Sequence, residues 1–237
     1  MKGWKVLPWE EPRPGAWQMA LDEALFREAE AGREDQPVLR LYRWAPPCLS
    51  LGRHQDPEVA ADGAFCRARG IDVVRRPTGG LAVLHDDEVT YAVVAPMDRP
   101  PFAGLNLMET YGRIAGALVE GLRGLGLPAE LSRRRVSPAP LSAAPCFQVP
   151  TENEILVHGR KVVGSAQLRG QRAFLQHGAV PLALDYRLLL RATGRGDEDE
   201  TPYRAAFAGL REFLPGLTAE TLRDALLEGF RKTLARP

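Results

Sequence analysis

Glu154-Ile155-Leu156-Val157-His158-Gly159-Arg160-Lys161-Val162-Val163-Gly164-Ser165-Ala166-Gln167 is the stretch on which the fold turns. The runs 154–157 and 161–163 flank His158-Gly159, which reads as a hairpin turn. A second pair, Ser165 to Arg169 and Arg172 to His177, lies either side of Gly170-Gln171. Strands joined by two-residue turns pair antiparallel, so the segment predicts a meander.

Outward from the meander, strands and helices segregate instead of alternating. Pro12 and Pro14 close an extended stretch, after which Trp17, Leu21 and Leu25 recur at helical spacing, with Asp22, Glu23, Arg27 and Glu28 mostly elsewhere on the cylinder and Gly32 as a stop. Leu39 to Trp44 and Cys48 to Gly52 read as two strands across the Pro46-Pro47 break. Residues 57–69 predict a short helix, and Ile71 to Arg75 and Glu88 to Ala95 predict strands. Asn106 opens the clearest helix: Leu107, Tyr111, Ile114, Leu118, Leu122 and Leu125 step by three or four, Asn106 and Glu109 form a capping pair, and Gly126 and Pro128 end it. Ser132 to Pro145 predicts a loop, residues 185–192 and 202–213 predict helices, and Thr218 caps a terminal amphipathic helix carrying Leu222, Leu226, Phe230 and Leu234. The class is α+β, with mixed, largely antiparallel sheets flanked by helices. At 237 residues a single catalytic-sized domain, 1–237, is expected.

Thirty-one basic against thirty acidic residues leave a formal charge of +1, so the balance predicts no general affinity for nucleic acid or membrane. The amino terminus lacks the apolar core of about 7–15 residues that marks a signal peptide. No window approaches the roughly 20 apolar residues of a membrane span. Three widely spaced cysteines, Cys48, Cys66 and Cys146, fit a reducing compartment, and a cytoplasmic monomer is expected.

Arg75-Arg76-Pro77-Thr78-Gly79-Gly80-Leu81 puts two glycines in the turn after a strand, either to bring backbone N–H groups close to a ligand or simply to make a tight turn. His85 reads as an acid/base or as a hydrogen-bonded residue at a strand end; His54, His158 and His177 read as turn or surface residues. No histidine pair has ligand spacing, so no metal is predicted. Cys48 and Cys66 sit in apolar patterns and read as core. Cys146 differs, because it follows Pro145 in a loop and lies fifteen positions before Lys161. A lysine near a thiol favours the thiolate, the form that attacks acyl carbonyls.

Taken together, Met19-Ala20-Leu21-Asp22-Glu23, Leu39-Arg40-Leu41-Tyr42 with Trp44, Ser50-Leu51-Gly52, Arg75 to Gly80 with His85-Asp86, Glu88-Val89-Thr90-Tyr91, Gly159 to Gln167 and Leu175-Gln176-His177-Gly178 resemble the lipoate-protein ligase and octanoyltransferase family, within the biotin/lipoate ligase fold. The resemblance runs from about residue 17 to 182. Ala144-Pro145-Cys146-Phe147, Glu154 and Lys161 are similar to the octanoyltransferase branch that carries its nucleophile before the lysine. Leu81 and Asp86-Asp87-Glu88 stand where ATP-dependent ligases carry a third glycine and an Asp-x-Gly-Asn run, and Thr151-Glu152-Asn153 departs from the usual aromatic segment.

The resemblance implies that an octanoyl group arrives as a thioester on acyl carrier protein, passes to Cys146, and then reaches a lysine of a lipoyl domain or glycine cleavage H protein. It implies Cys146 and Lys161 as catalytic residues and Arg76, Gly79, Gly80, His85, Gly164, Ser165 and Ala166 as the substrate-binding set, with backbone N–H groups near Gly79-Gly80 and Gly164-Ser165-Ala166 facing the oxyanion. It implies no cofactor. Arg133-Arg134-Arg135 reads either as a patch steering an acidic carrier protein or as solvated surface. The alternatives are an ATP-dependent lipoate ligase or an amidotransferase on the same fold, and a non-catalytic lipoate-binding protein.

Overall fold

The computed structural model describes residues 3–132 and 153–234. In chain order the elements are β1 (Lys5–Val6), α1 (Gly15–Glu30), β2 (Val38–Tyr42), β3 (Cys48–Leu51), α2 (Pro57–Ala60), α3 (Gly63–Ala68), β4 (Asp72–Arg75), β5 (Val83–His85), β6 (Glu88–Pro96), α4 (Leu107–Gly124), β7 (Ala129–Leu131), β8 (Ile155–Val157), β9 (Arg160–Arg169), β10 (Ala173–Pro181), α5 (Tyr186–Ala192), α6 (Thr201–Ala206), a 3-10 turn at Leu210–Glu212, and α7 (Ala219–Leu234). The meander is present as β8, β9 and β10, antiparallel throughout. It supplies three strands of a seven-stranded sheet in the order β1-β2-β6-β10-β9-β8-β7, in which, among the described residues, only β1 and β2 run parallel. A second, three-stranded sheet has the order β4-β3-β5.

Alternation along β6 assigns the faces of the large sheet. Val89, Tyr91, Val93 and Ala95 join a core with Ile114, Leu118 and Leu122 of α4 and Leu222, Leu226 and Phe230 of α7. Ala92 and Val94 point the other way, against Met19 and Ala29 of α1. The sheet is therefore filled on both sides. Where α4 crosses α7 the backbones nearly touch: a Cβ on Gly229 would stand 2.2 Å from the Ala117 carbonyl oxygen, and one on Gly121 2.7 Å from that of Ala225. The Asn106–Glu109 capping box forms as predicted, with the Glu109 N–H donating to Asn106 Oδ1 at 3.0 Å and the Asn106 N–H donating to Glu109 Oε2 at 2.8 Å. Such a cap contributes about 1 kcal/mol. Thr218 caps α7 through the Thr221 N–H at 3.1 Å.

Three expectations need correction. Helix α1 does not bury its Trp17-Leu21-Leu25 stripe: Trp17 is 41 % exposed, and the inward face carries Gln18, Met19 and Asp22, the last fully buried. The helix expected over 57–69 is broken at Ala61-Asp62, because the Asp62 side chain leaves the helical path to cap α3 by accepting from the Phe65 N–H at 2.8 Å. The helix expected over 202–213 stops at Ala206, because Phe207 forms a bridge with Lys161 and the Ala208 N–H donates to the Lys161 carbonyl at 3.0 Å. Among the described residues no helix is long and apolar enough to cross a membrane.

Candidate active site

A cavity of about 260 Å³ opens between the two sheets. The large sheet contributes Tyr42, Thr90, Lys161, Gly164 to Ala166 and His177 to Ala179; the small sheet and its glycine turn contribute Ser50, Arg76, Gly80, Val83 and His85; α1 contributes Met19. Of the residues singled out from sequence, all but two line this cavity. Gly79 is adjacent, with its carbonyl bound by Arg76. Cys146, like Arg133 to Arg135, lies outside the described residues.

Lys161 is fixed from both edges of its strand. The preceding turn puts His158 and Gly159 at positive φ, 49° and 77°, which is the backbone a two-residue hairpin needs. Beyond it, Lys161 pairs with Leu156 on one side and Phe207 on the other. Its Nζ lies 2.8 Å from Glu154 Oε1, and the two side chains are only 4 % and 8 % exposed. Two charges this deep require each other: removing one partner of a buried pair costs about 3–5 kcal/mol.

The turn 76–81 is tied down by its own arginine. Arg76 donates to the carbonyls of Gly79 at 2.8 Å, Leu81 at 2.7 Å and Ser50 at 2.9 Å. Beneath it Gly52 lies so close that a Cβ there would meet the Gly80 carbonyl oxygen at 1.9 Å. The turn thus rests directly on the small sheet, with Arg76 filling its concave side.

Two hydroxyl–imidazole–carboxylate chains then bind the turn and its sheet to the rest of the protein. In the first, Ser50 Oγ lies 2.8 Å from His85 Nε2, and His85 Nδ1 lies 2.8 Å from Glu88 Oε1. Trp44 stacks on His85 with ring centroids 4.1 Å apart. In the second, Thr78 Oγ1 lies 2.7 Å from His177 Nε2, and His177 Nδ1 lies 3.1 Å from Asp22 Oδ2. Asp22 also pairs with Arg40 at 2.5 Å and accepts from the Tyr42 hydroxyl at 2.9 Å. Burial opposes the Asp22 charge, but His177, Arg40 and Tyr42 together hold its carboxyl below the ordinary range. Burial draws the His177 imidazole below its ordinary value despite the pull of Asp22.

His177 corrects the sequence reading, which placed it at a turn or on the surface; it is 5 % exposed and joins α1 to the glycine turn. Asp22, Arg40 and Tyr42 were not recognised as site residues. Their sequence signals are the motifs Met19 to Glu23 and Leu39 to Tyr42 of the resemblance and, for Asp22, the polar pair Gln18-Asp22 at helical spacing. Ser165 meets a different neighbourhood: its hydroxyl accepts from Tyr91 at 2.7 Å, and its carbonyl accepts from Tyr111 at 3.0 Å. Burial pushes the Tyr91 phenol up to about 12. Cys48 and Cys66 are fully buried, as expected of core thiols, and burial raises the Cys48 thiol far above its ordinary range.

The model of the lipoyl protein ligase A/B catalytic domain matches residues 14–231. An octanoyltransferase of Carboxydothermus hydrogenoformans is 40 % identical over 226 residues, covering 91 % of this chain and 81 % of the relative. One from Kyrpidia tusciae is 40 % identical over 245 residues, covering 99 % and 88 %. Among solved structures, a bi-partite lipoate protein ligase studied with its E2 lipoyl domain, from Thermoplasma acidophilum, superposes with a TM-score of 0.76 at 27 % identity, over 98 % of this chain and 84 % of that one.

Proposed function

The chain belongs to the lipoyl protein ligase A/B catalytic domain family, and from that premise we propose that it is an octanoyltransferase of lipoate biosynthesis, taking its acyl group from a carrier-protein thioester and delivering it to a lysine of a lipoyl domain or glycine cleavage H protein. The observation that carries the reading is the buried Lys161 ammonium in the wall of a cavity shared with the glycine turn and His85. The relatives named octanoyltransferase favour transfer over ATP-dependent ligation.

The Cys146 thiolate attacks the donor carbonyl; a C–S bond forms and the carrier's thiolate leaves. Exchange between thioesters is nearly balanced in energy, and amide formation from a thioester is downhill, so covalent catalysis divides the path into two accessible steps. Lys161 stabilises the Cys146 thiolate and helps place the acyl carbonyl. Backbone N–H groups of Gly79-Gly80 and Gly164-Ser165-Ala166 are the donors for the oxyanion; one such donor is worth about 3 kcal/mol in related chemistry. Arg76 acts by holding the turn in which Gly79 and Gly80 sit.

The test is octanoylation of an apo lipoyl domain from octanoyl carrier protein without ATP or magnesium, alongside intact mass of the enzyme after exposure to donor alone. The expected results are modification of the acceptor and a thioester adduct in the wild type, both lost in Cys146→Ala and both kept in Cys48→Ala and Cys66→Ala. ATP-dependent attachment of free lipoate that survives Cys146→Ala would instead establish a ligase.

A further inference from the structure

We infer that Ser50, His85 and Glu88 form a proton relay that takes the proton from the acceptor amine as it attacks the acyl group. The inference rests on the acyl-enzyme reading above. Its basis is the direction of the hydrogen bonds. A guanidinium can only donate, so Arg76 Nη1, 3.2 Å from Ser50 Oγ, occupies that oxygen as an acceptor. An indole can likewise only donate, so Trp44 Nε1 gives its proton to Thr90 Oγ1 at 2.7 Å, and the Thr90 hydroxyl in turn donates to Glu88. Glu88 is thereby set as an acceptor, and His85 Nδ1 carries the proton that points at it. His85 Nε2 is left with its lone pair, and the hydroxyl proton of Ser50 lies along the 2.8 Å line to it. The Glu88 end sets the polarity of the neutral ring, Arg76 leaves the Ser50 proton free to follow it, and that polarity makes the imidazole nitrogen a base behind the serine hydroxyl.

Position separates this chain from its twin. Ser50 and His85 both line the cavity, whereas in the Thr78–His177–Asp22 chain only His177 does among the described residues. Asp22 is already committed to Arg40 and Tyr42. The second chain therefore holds the glycine turn to α1, and the first presents a hydroxyl to whatever enters the cavity. Lys161 is engaged with Glu154, and its role in the reaction is to hold the sulfur as a thiolate.

The transfer step needs such a base. A lysine ammonium first loses one proton to water. The free amine then attacks the carbonyl carbon, forming the C–N bond. The surplus proton on that nitrogen passes to Ser50 Oγ as the serine proton passes to His85 Nε2. The C–S electron pair leaves on sulfur as a thiolate beside Lys161, and the imidazolium returns its proton to water. General-base assistance of this kind is worth about 10²–10⁴-fold.

The test separates the half-reactions. Wild type, Ser50→Ala and His85→Gln are loaded with octanoyl carrier protein, the adduct is measured by intact mass, and the loaded enzymes are presented with an apo lipoyl domain or with hydroxylamine. Hydroxylamine arrives unprotonated near neutrality and reacts without a strong base. The expected result is loading in all three enzymes, transfer to the protein lysine slower by about 10²-fold or more in both variants, and transfer to hydroxylamine near the wild-type rate. Equal slowing of both nucleophiles would overturn the relay in favour of a purely structural role, and so would unchanged transfer to lysine. A wild type that forms no adduct would overturn the acyl-enzyme reading and the relay with it. If one variant fails to load, the other decides.

Discussion

Gly52→Ala is expected to damage catalysis more than its size suggests. The added Cβ would stand 1.9 Å from the Gly80 carbonyl oxygen and 2.9 Å from its carbonyl carbon, both backbone atoms that cannot rotate aside. The turn must retreat by about 1 Å for the methyl to fit, and a misplacement of that size costs about 10²-fold in rate when it touches the reacting geometry. That is about 3 kcal/mol of transition-state stabilisation. The fold pays less, because the strain falls on one surface turn: overpacking costs about 1–3 kcal/mol, or a few degrees of Tm for a chain this long. Steady-state octanoyl transfer and thermal unfolding should be measured together, with Gly116→Ala beside them. Gly116 lies within α4 with nothing near its would-be Cβ, so alanine there should raise stability by about 1 kcal/mol and leave kinetics unchanged. Wild-type kcat/KM in Gly52→Ala, with the protein folded, would refute the claim that the small sheet sets the position of the turn.

Gly229→Ala should cost stability without a specific kinetic defect, since its methyl meets the Ala117 carbonyl at the α4–α7 crossing, remote from the cavity; a variant as stable as wild type would mean the helices separate freely. Lys161→Ala should abolish transfer and also lower stability by about 3–5 kcal/mol by stranding Glu154. Lys161→Ala combined with Glu154→Gln should recover much of the stability and none of the activity; loss of stability equal in single and double variants would show that the pair is not coupled. His177 gives a pH signature. Its imidazole is held below the ordinary value in the fold, so as pH falls through about 6.5 the unfolded chain takes up a proton that the folded one refuses. Stability should therefore fall on that side, by at most about 1.4 kcal/mol per pH unit, until the buried imidazole itself protonates. His177→Asn should flatten the slope in urea titrations between pH 7 and 5, and an unaltered slope would assign it elsewhere.

Legibility followed the range of the interactions. The meander, the capped helix at Asn106 and the terminal helix behind Thr218 are written in residues near one another, and each formed as its local pattern required. The sequence order of motifs also brought His85, Arg76, Gly80 and Lys161 to one cavity. The failures lie where a distant partner overrides a local preference. Asp22 looks like a solvent-facing helix residue until Arg40 and His177, 18 and 155 positions away, surround it. The stretch after Ala206 has helical composition, and it straightens because β9 offers it an edge at Lys161. Three short strands, β1, β5 and β7, went unseen because two or three residues carry no period. For Asp22 the reason is charge on an inward face: periodicity counts a buried carboxylate as surface.

At the far edge of the large sheet, the Ser132 N–H donates to the Glu154 carbonyl at 2.7 Å, and the Asn153 N–H donates to the Ser132 carbonyl at 3.2 Å. These bonds extend the β7–β8 ladder and bring together the two ends of the segment 133–152. Inserting or removing one residue between Glu154 and Lys161 would slip a register and turn the ammonium to the opposite face. The chain thus keeps the spacing of its lysine under strict control: the hairpin turn at His158-Gly159 sets both the strand register and the side of the sheet on which the ammonium meets Glu154.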